Sequence, residues 1–147
     1  PPPPAAGEGT ASPPRPSLFM ERPQEVLLEL TLSLTAGDPA DIRARMDEYS
    51  RRRREKQPLE ARSAGSTFKR PEGHFAGAMI ESLGLKGFSV GDAAVSSKHA
   101  GFLINKGRAT CADMLALIRE IQSQVKARYG VDLEPEVQII GEEKESV

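Results

Sequence analysis

The sequence predicts an α+β fold, a small β-sheet packed by helices, and three observations carry that reading. Apolar residues alternate from Val26 to Leu34, they recur at helical spacing in later stretches, and short strand-like runs lie between the helices. The chain has 147 residues, 38% of them hydrophobic, enough for one modest core. A chain of this size buries roughly two thirds of its unfolded surface.

Residues 1–16, "PPPPAAGEGTASPPRP", hold seven of the twelve prolines and no large apolar side chain. Such a composition favours extended, solvated backbone, so a disordered tail is expected. In "QEVLLELTLSL", Val26, Leu28, Leu30, Leu32 and Leu34 share one parity and Glu29, Thr31 and Ser33 the other, the pattern of a half-buried strand. "GDPADIRARMDEYSRRRREKQ" then opens a helix with Asp38 as N-cap, Pro39 at the first helical position and Asp41 in the first turn. Ile42, Met46 and Tyr49 form its apolar face, and it should end near Lys56, ahead of Pro58. "GHFAGAMIESLGLKG" reads as a short helix with Phe75, Met79 and Leu83 on one face and Gly84 as its stop. Two strand-like runs follow, "FSVGDAAVS" and "AGFLINKG". "TCADMLALIREIQSQVKARYG" is the strongest helix: Thr110 and Asp113 start it, Met114, Leu117, Ile118, Ile121 and Val125 make its stripe, and Gly130 ends it. A last strand is expected in "VDLEPEVQIIG", where Val137 and Ile139 alternate with Glu136, Gln138 and Ile140, and residues 142–147 form an acidic tail.

The totals exclude several functions. A formal charge of -1 gives no global attraction to nucleic acid or membrane. Arg51 to Arg54 are the one basic run, but four successive helical residues at about 100° each sweep most of the circumference and cannot form one groove-facing patch. Seven basic residues face five acidic ones from Asp38 to Lys56, and no aromatic side chain is interleaved for base stacking, so a solvated helix end is the better reading. No stretch is long and apolar enough for a membrane span or the core of a signal peptide. Cys111 is alone, which excludes an internal disulfide and fits a reducing compartment; its place in the first helical turn is balanced by the absence of a neighbouring base, so a buried or inert thiol is expected. His74 and His99 have no partners at ligand spacing, and no metal site is assigned. A cytoplasmic protein is expected. The first methionine is Met20, which implies a fragment or a processed product.

The segment "AGSTFKRPEGHFAG" puts Ser66 and Thr67 directly behind Gly65. Glycine allows positive φ, and serine and threonine hydroxyls commonly satisfy backbone groups in tight turns. On spacing alone, a structural turn is the plainer account of this hydroxyl pair and a catalytic serine the sharper one.

Taken together, "QPLEARSAGSTFKRPEGHFAGAMIESLGLKG", "VGDAAVSSKHAGFLINKGRAT" and "GVDLEPEVQIIGE" resemble the C-terminal part of the UDP-N-acetylenolpyruvoylglucosamine reductase family, from about Ser17 to Gly141. "KHAGF" is more similar to the branch without a substrate-covering insertion. Beyond the compositional tail over 1–16, the resemblance implies a strand and helix over 17–58 like the end of a flavin-binding domain, and a substrate-binding C-terminal domain over 59–141. It implies Ser66 as the general acid and Glu136 as a second catalytic group. Arg15 in "PRPSLF" matches the family's catalytic arginine, although Pro14 stands where the family has tyrosine and Ala61 and Arg62 replace its usual approach to "SAGS". The family reduces an enolpyruvyl UDP-sugar with FAD and NADPH, whereas this chain has no strand, glycine loop and helix in the order that cradles a dinucleotide pyrophosphate. FAD and NADPH are thus implied for the complete enzyme and none for this fragment; the implied partners are the UDP-sugar and a missing or separate flavin-binding domain. The competing class is a non-catalytic binding or interaction module that retains the fold.

Overall fold

The computed structural model describes residues 24–141, so the proline-rich and acidic tails and Arg15 lie outside the described residues. Two units divide the chain at Gly37. In the first, residues 25–37 form neither helix nor strand and every side chain is exposed, Leu28 at 92% and Leu34 at 84%. The strand expected there is therefore absent. Alternation prepares one face of a strand, but the backbone groups of an extended segment need a neighbouring strand to bond, and no strand among the described residues pairs with it.

The second unit opens with α1 (Pro39–Lys56), whose Asp38 side chain accepts hydrogen bonds from Ala40 N at 2.9 Å and Asp41 N at 3.0 Å. Gln57 N donates to Arg53 O at 2.9 Å, and Pro58 follows. Both ends stand where the sequence puts them, yet α1 buries no residue. The arginine run pairs locally: Arg51 bonds Glu48 at 2.6 Å and Glu55 at 2.7 Å, and Arg52 bonds Glu48 at 2.5 Å.

After the Ser66 turn come α2 (Ala76–Ser82), the strands β1 (Ser89–Val90), β2 (Ala93–Val95) and β3 (Leu103–Asn105), and α3 (Cys111–Tyr129). The sheet is antiparallel in the order β1-β2-β3, with Val90 opposite Ala93 and Val95 opposite Leu103. "FSVGDAAVS", read as one strand, is in fact a hairpin. Gly91 has φ 54°, which puts the positive φ at the first central position of a two-residue turn, where glycine is favoured.

Thr110 caps α3 and shares a reciprocal capping box with Asp113, while Gly130 takes a left-handed conformation at its end. Leu117, Ile118, Ile121 and Val125 are buried, and α3 packs on β1, β2 and α2. Each such side chain contributes about 1.5–3 kcal/mol on burial. Phe68, Met79, Ile80, Leu85, Ala93, Val95, Leu103 and Leu133 complete the core. In α2 the buried face is Ala76, Met79 and Ile80; Phe75 caps the helix from outside and is exposed, not a core residue. Residues 131–140 form no regular strand. They make one bridge, Phe68 to Pro135, and a proline has no N–H with which to continue a ladder.

Candidate active site

The turn that carries Ser66 is held by the strand beside it. Asn105 N donates to Arg62 O at 2.8 Å and Thr67 N to Gly101 O at 2.9 Å, with bridges Arg62 to Asn105 and Ser66 to Phe102. Four residue steps on one side thus face three on the other. The extra residue makes a bulge, a device that re-aims side chains, and Gly65 absorbs it with φ 98°. Ser63 Oγ accepts from Gly65 N at 3.2 Å.

The hydroxyl pair divides by role. Thr67 is buried and its Oγ1 accepts from Leu103 N at 3.3 Å, the backbone-satisfying use expected of a turn. Ser66 is exposed at the mouth of a cleft of about 460 Å³. Glu136 lines the same cleft. It is brought there by backbone pairing, since Glu136 N donates to Thr67 O at 2.8 Å and Lys69 N to Glu134 O at 2.9 Å. Two residues seventy positions apart therefore meet through adjacent peptide segments. Arg15, the third expected site residue, lies outside the described residues.

Arg70, Lys98 and His99 line the cleft as well, and the site residues inferred from the sequence did not include them. Their signal was the basic character of "FKRP" and "SKHA" beside the turn, which composition does not separate from ordinary surface charge. The Arg70 guanidinium lies 3.9 Å from the Phe75 ring centroid, a cation–π contact that accounts for that exposed aromatic. Lys98 Nζ bonds Glu60 at 2.9 Å, and Glu81 is engaged by Lys86 at 2.6 Å. The Glu60 carboxyl is held below the usual range by its backbone hydrogen bond and then by Lys98. Among the described residues, Arg70 has no carboxylate partner and Glu136 no cation. A hydroxyl, a carboxylate and a free guanidinium around one open cleft can bind an anionic ligand and move a proton.

Cys111 is exposed, contrary to a buried thiol, and borders a separate apolar groove of about 220 Å³. Among the described residues no group of His, Cys, Asp and Glu is arranged to hold a metal ion, and no helix is long and apolar enough to cross a membrane.

Residues 57–140 match the family model described as UDP-N-acetylenolpyruvoylglucosamine reductase, C-terminal domain. The chain belongs to this family. It is 57% identical over 121 residues to the UDP-N-acetylenolpyruvoylglucosamine reductase of Clostridium novyi, covering 82% of this chain and 39% of that one. The Syntrophomonas wolfei reductase is 52% identical over 129 residues, 88% of this chain and 43% of its own. The crystal structure of the Thermus caldophilus enzyme superposes with a TM-score of 0.58 at 37% identity, covering 72% of this chain and 37% of that one. The chain thus spans roughly two fifths of the length of these curated relatives. Their matches reach well ahead of residue 57, so α1 is shared with the whole-length reductases but lies outside the C-terminal family model.

Proposed function

We propose that this chain is the substrate-side part of a flavin-dependent, NADPH-using reductase that converts UDP-N-acetylglucosamine enolpyruvate to UDP-N-acetylmuramate in cytoplasmic peptidoglycan synthesis. The observation that carries the reading is the meeting of Ser66 and Glu136 at one cleft, on two segments paired through Thr67. Arg70 and Lys98 on the same wall suit the negative charge of a sugar nucleotide.

The described residues do not fit FAD. The N-termini of α1 and α3, which could receive a pyrophosphate, are already filled by the Asp38 carboxylate and the Thr110–Asp113 box, so both carry negative charge where phosphate would have to sit. The flavin would be held by another part of the complete protein and would supply the hydride there. Ser66 does proton work: its O–H bond breaks as a C–H bond forms at the carbon beside the substrate carboxylate, and solvent returns the proton to the serine. Serine is a weak acid, so placement and the basicity of the carbon centre drive the transfer. Glu136, when protonated, stabilises charge on the enolate-like carboxylate, and Arg15 is the third group of the family's set.

Residues 17–58 are read as the end of the flavin-binding domain, and the remainder of that domain is the partner of this chain. Ile42, Met46 and Tyr49 of α1 and the row Val26, Leu28, Leu30, Leu32 and Leu34 are exposed apolar surfaces within the stretch matched by whole-length relatives.

The test restores a flavin domain and reads the two half-reactions by stopped-flow absorbance. Ser66→Ala should leave flavin reduction by NADPH nearly intact and slow reoxidation by substrate ~10²-fold or more. Glu136→Gln should also impair the second step. Equal slowing of both steps by Ser66→Ala, or of neither, would return Ser66 to a turn residue and favour the non-catalytic binding module.

A further inference from the structure

Gly101 is hydrogen-bonded on both sides. Its N–H donates to His99 Nδ1 at 3.1 Å, and its carbonyl accepts from Thr67 N, the residue after Ser66, at 2.9 Å. The turn closes with Phe102 N donating to His99 O at 3.0 Å, and Phe102 is the bridge partner of Ser66. The imidazole that receives the Gly101 bond is boxed in. The Phe102 ring meets it edge-on at 5.0 Å and 71°. A Cβ on Gly77 of α2 would lie 3.3 Å from His99 Cε1 and from Gly101 N, and one on Gly101 would lie 3.1 Å from Cε1. A side chain at either glycine would press on the ring, so both let α2 and this turn approach it closely.

We propose that His99 is a positioning residue for Ser66: its Nδ1 accepts the Gly101 N–H and fixes the backbone from which the Ser66–Thr67 segment hangs. The proposal rests on the reading of Ser66 as proton donor. An Nδ1 that accepts a backbone N–H carries no proton of its own, so the neutral ring keeps its proton on Nε2. The ionisable groups lining the same cleft are Arg70 and Glu81 from the α2 side, Lys98 beside the ring, and Glu136; Lys98 is paired with Glu60 and Glu81 with Lys86. A ring that only filled space would need none of this hydrogen bonding, and an apolar substitute would serve equally well.

The test uses the 147-residue chain labelled with ¹⁵N. In wild type, the Gly101 and Thr67 amides should be protected from hydrogen exchange, and His74→Gln should leave that protection in place. His99→Leu, which has no acceptor, should raise hydrogen exchange at the Gly101 and Thr67 amides by roughly 3- to 10-fold, the range expected when one such bond is lost. His99→Asn should restore protection, because an asparagine oxygen can accept from the N–H two residues on. A leucine variant as protected as wild type, or an asparagine variant as unprotected as the leucine one, would overturn the proposal. If His99→Leu fails to fold, wild type and His99→Asn decide it, an unprotected Gly101 amide in either overturning the proposal. With a flavin domain supplied, His99→Leu should slow reoxidation and His99→Asn recover it. Full-rate Ser66→Ala enzyme alongside responsive amides would sink the proton-donor reading alone.

Discussion

Helices α1 and α3 have 18 and 19 residues, both carry side-chain N-caps, acidic first turns and basic last turns, and they differ in what they cover. α3 buries four apolar side chains against the sheet, whereas α1 buries none and shows Ile42, Met46 and Tyr49 to solvent. Caps and period decide where a helix stands; residues far away in sequence decide whether its apolar face has anything to meet. The difference also separates a self-sufficient core from a surface that, under the proposed function, belongs against a flavin domain.

The largest expected effect tests that separation directly. Leu117→Ala or Ile121→Ala removes a fully buried side chain and should lower stability by about 2–5 kcal/mol in urea unfolding. Met46→Ala in α1 should change it by no more than ~0.5 kcal/mol, since the side chain is exposed. A comparable loss in both would mean that α1 is packed in solution. A smaller contrast lies within the turn. Thr67→Val strands the Leu103 N–H and should cost about 1–3 kcal/mol, while Ser66→Ala should be nearly neutral for stability, so the two neighbouring hydroxyls report structure and chemistry separately.

Legibility followed the same divide. Local chemistry marked α1 from Asp38 and Pro39 and α3 from Thr110 to Gly130, because caps are written in neighbouring residues. The β1–β2 hairpin was hidden, since Gly91 and Asp92 interrupt a run too short for its halves to look separate. Residues 24–34 misled because alternation says which face could be buried and nothing about the strand that must pair with it. Phe75 read as core, but α2 begins one residue later and the ring lies under Arg70 instead. Ser66 and Glu136 could be joined only through family resemblance, because the backbone hydrogen bonds that bring them together, Glu136 N to Thr67 O and Lys69 N to Glu134 O, depend on tertiary register. Arg70, Lys98 and His99 joined the cleft for the same reason.

The caps give the next prediction. Thr110→Ala should lower global stability by about 1 kcal/mol, because the α3 N-terminus is part of the cooperative core. Asp38→Ala should leave the urea midpoint in place and only fray α1, seen as lost helical circular dichroism and faster exchange of the Ala40 and Asp41 amides. A shared drop in midpoint would show that the two helices unfold as one unit.

The smallest effect is the response to acid. Hydrogen bonds from the Thr110 backbone and then its hydroxyl hold the Asp113 carboxyl below its ordinary value. A carboxyl depressed on folding stabilises the protein above its unfolded-state pKa, and that contribution is lost as pH falls through the folded-state value. Core stability should therefore weaken on the acid side of the normal carboxylate range, and Asp113→Asn should flatten that part of the profile. Glu48 is depressed too, by hydrogen bonds from Arg51 and then Arg52, so its sign is the same. Its protonation should nevertheless loosen only α1, since no α1 side chain is buried in the core. Amide exchange at Ile121 against Ser50, followed from neutral pH into acid, reads the two helices side by side. Ile121 should respond to Asp113→Asn and not to Glu48→Gln, and Ser50 the reverse; an Ile121 amide that answers to Glu48 would mean that α1 is coupled to the core.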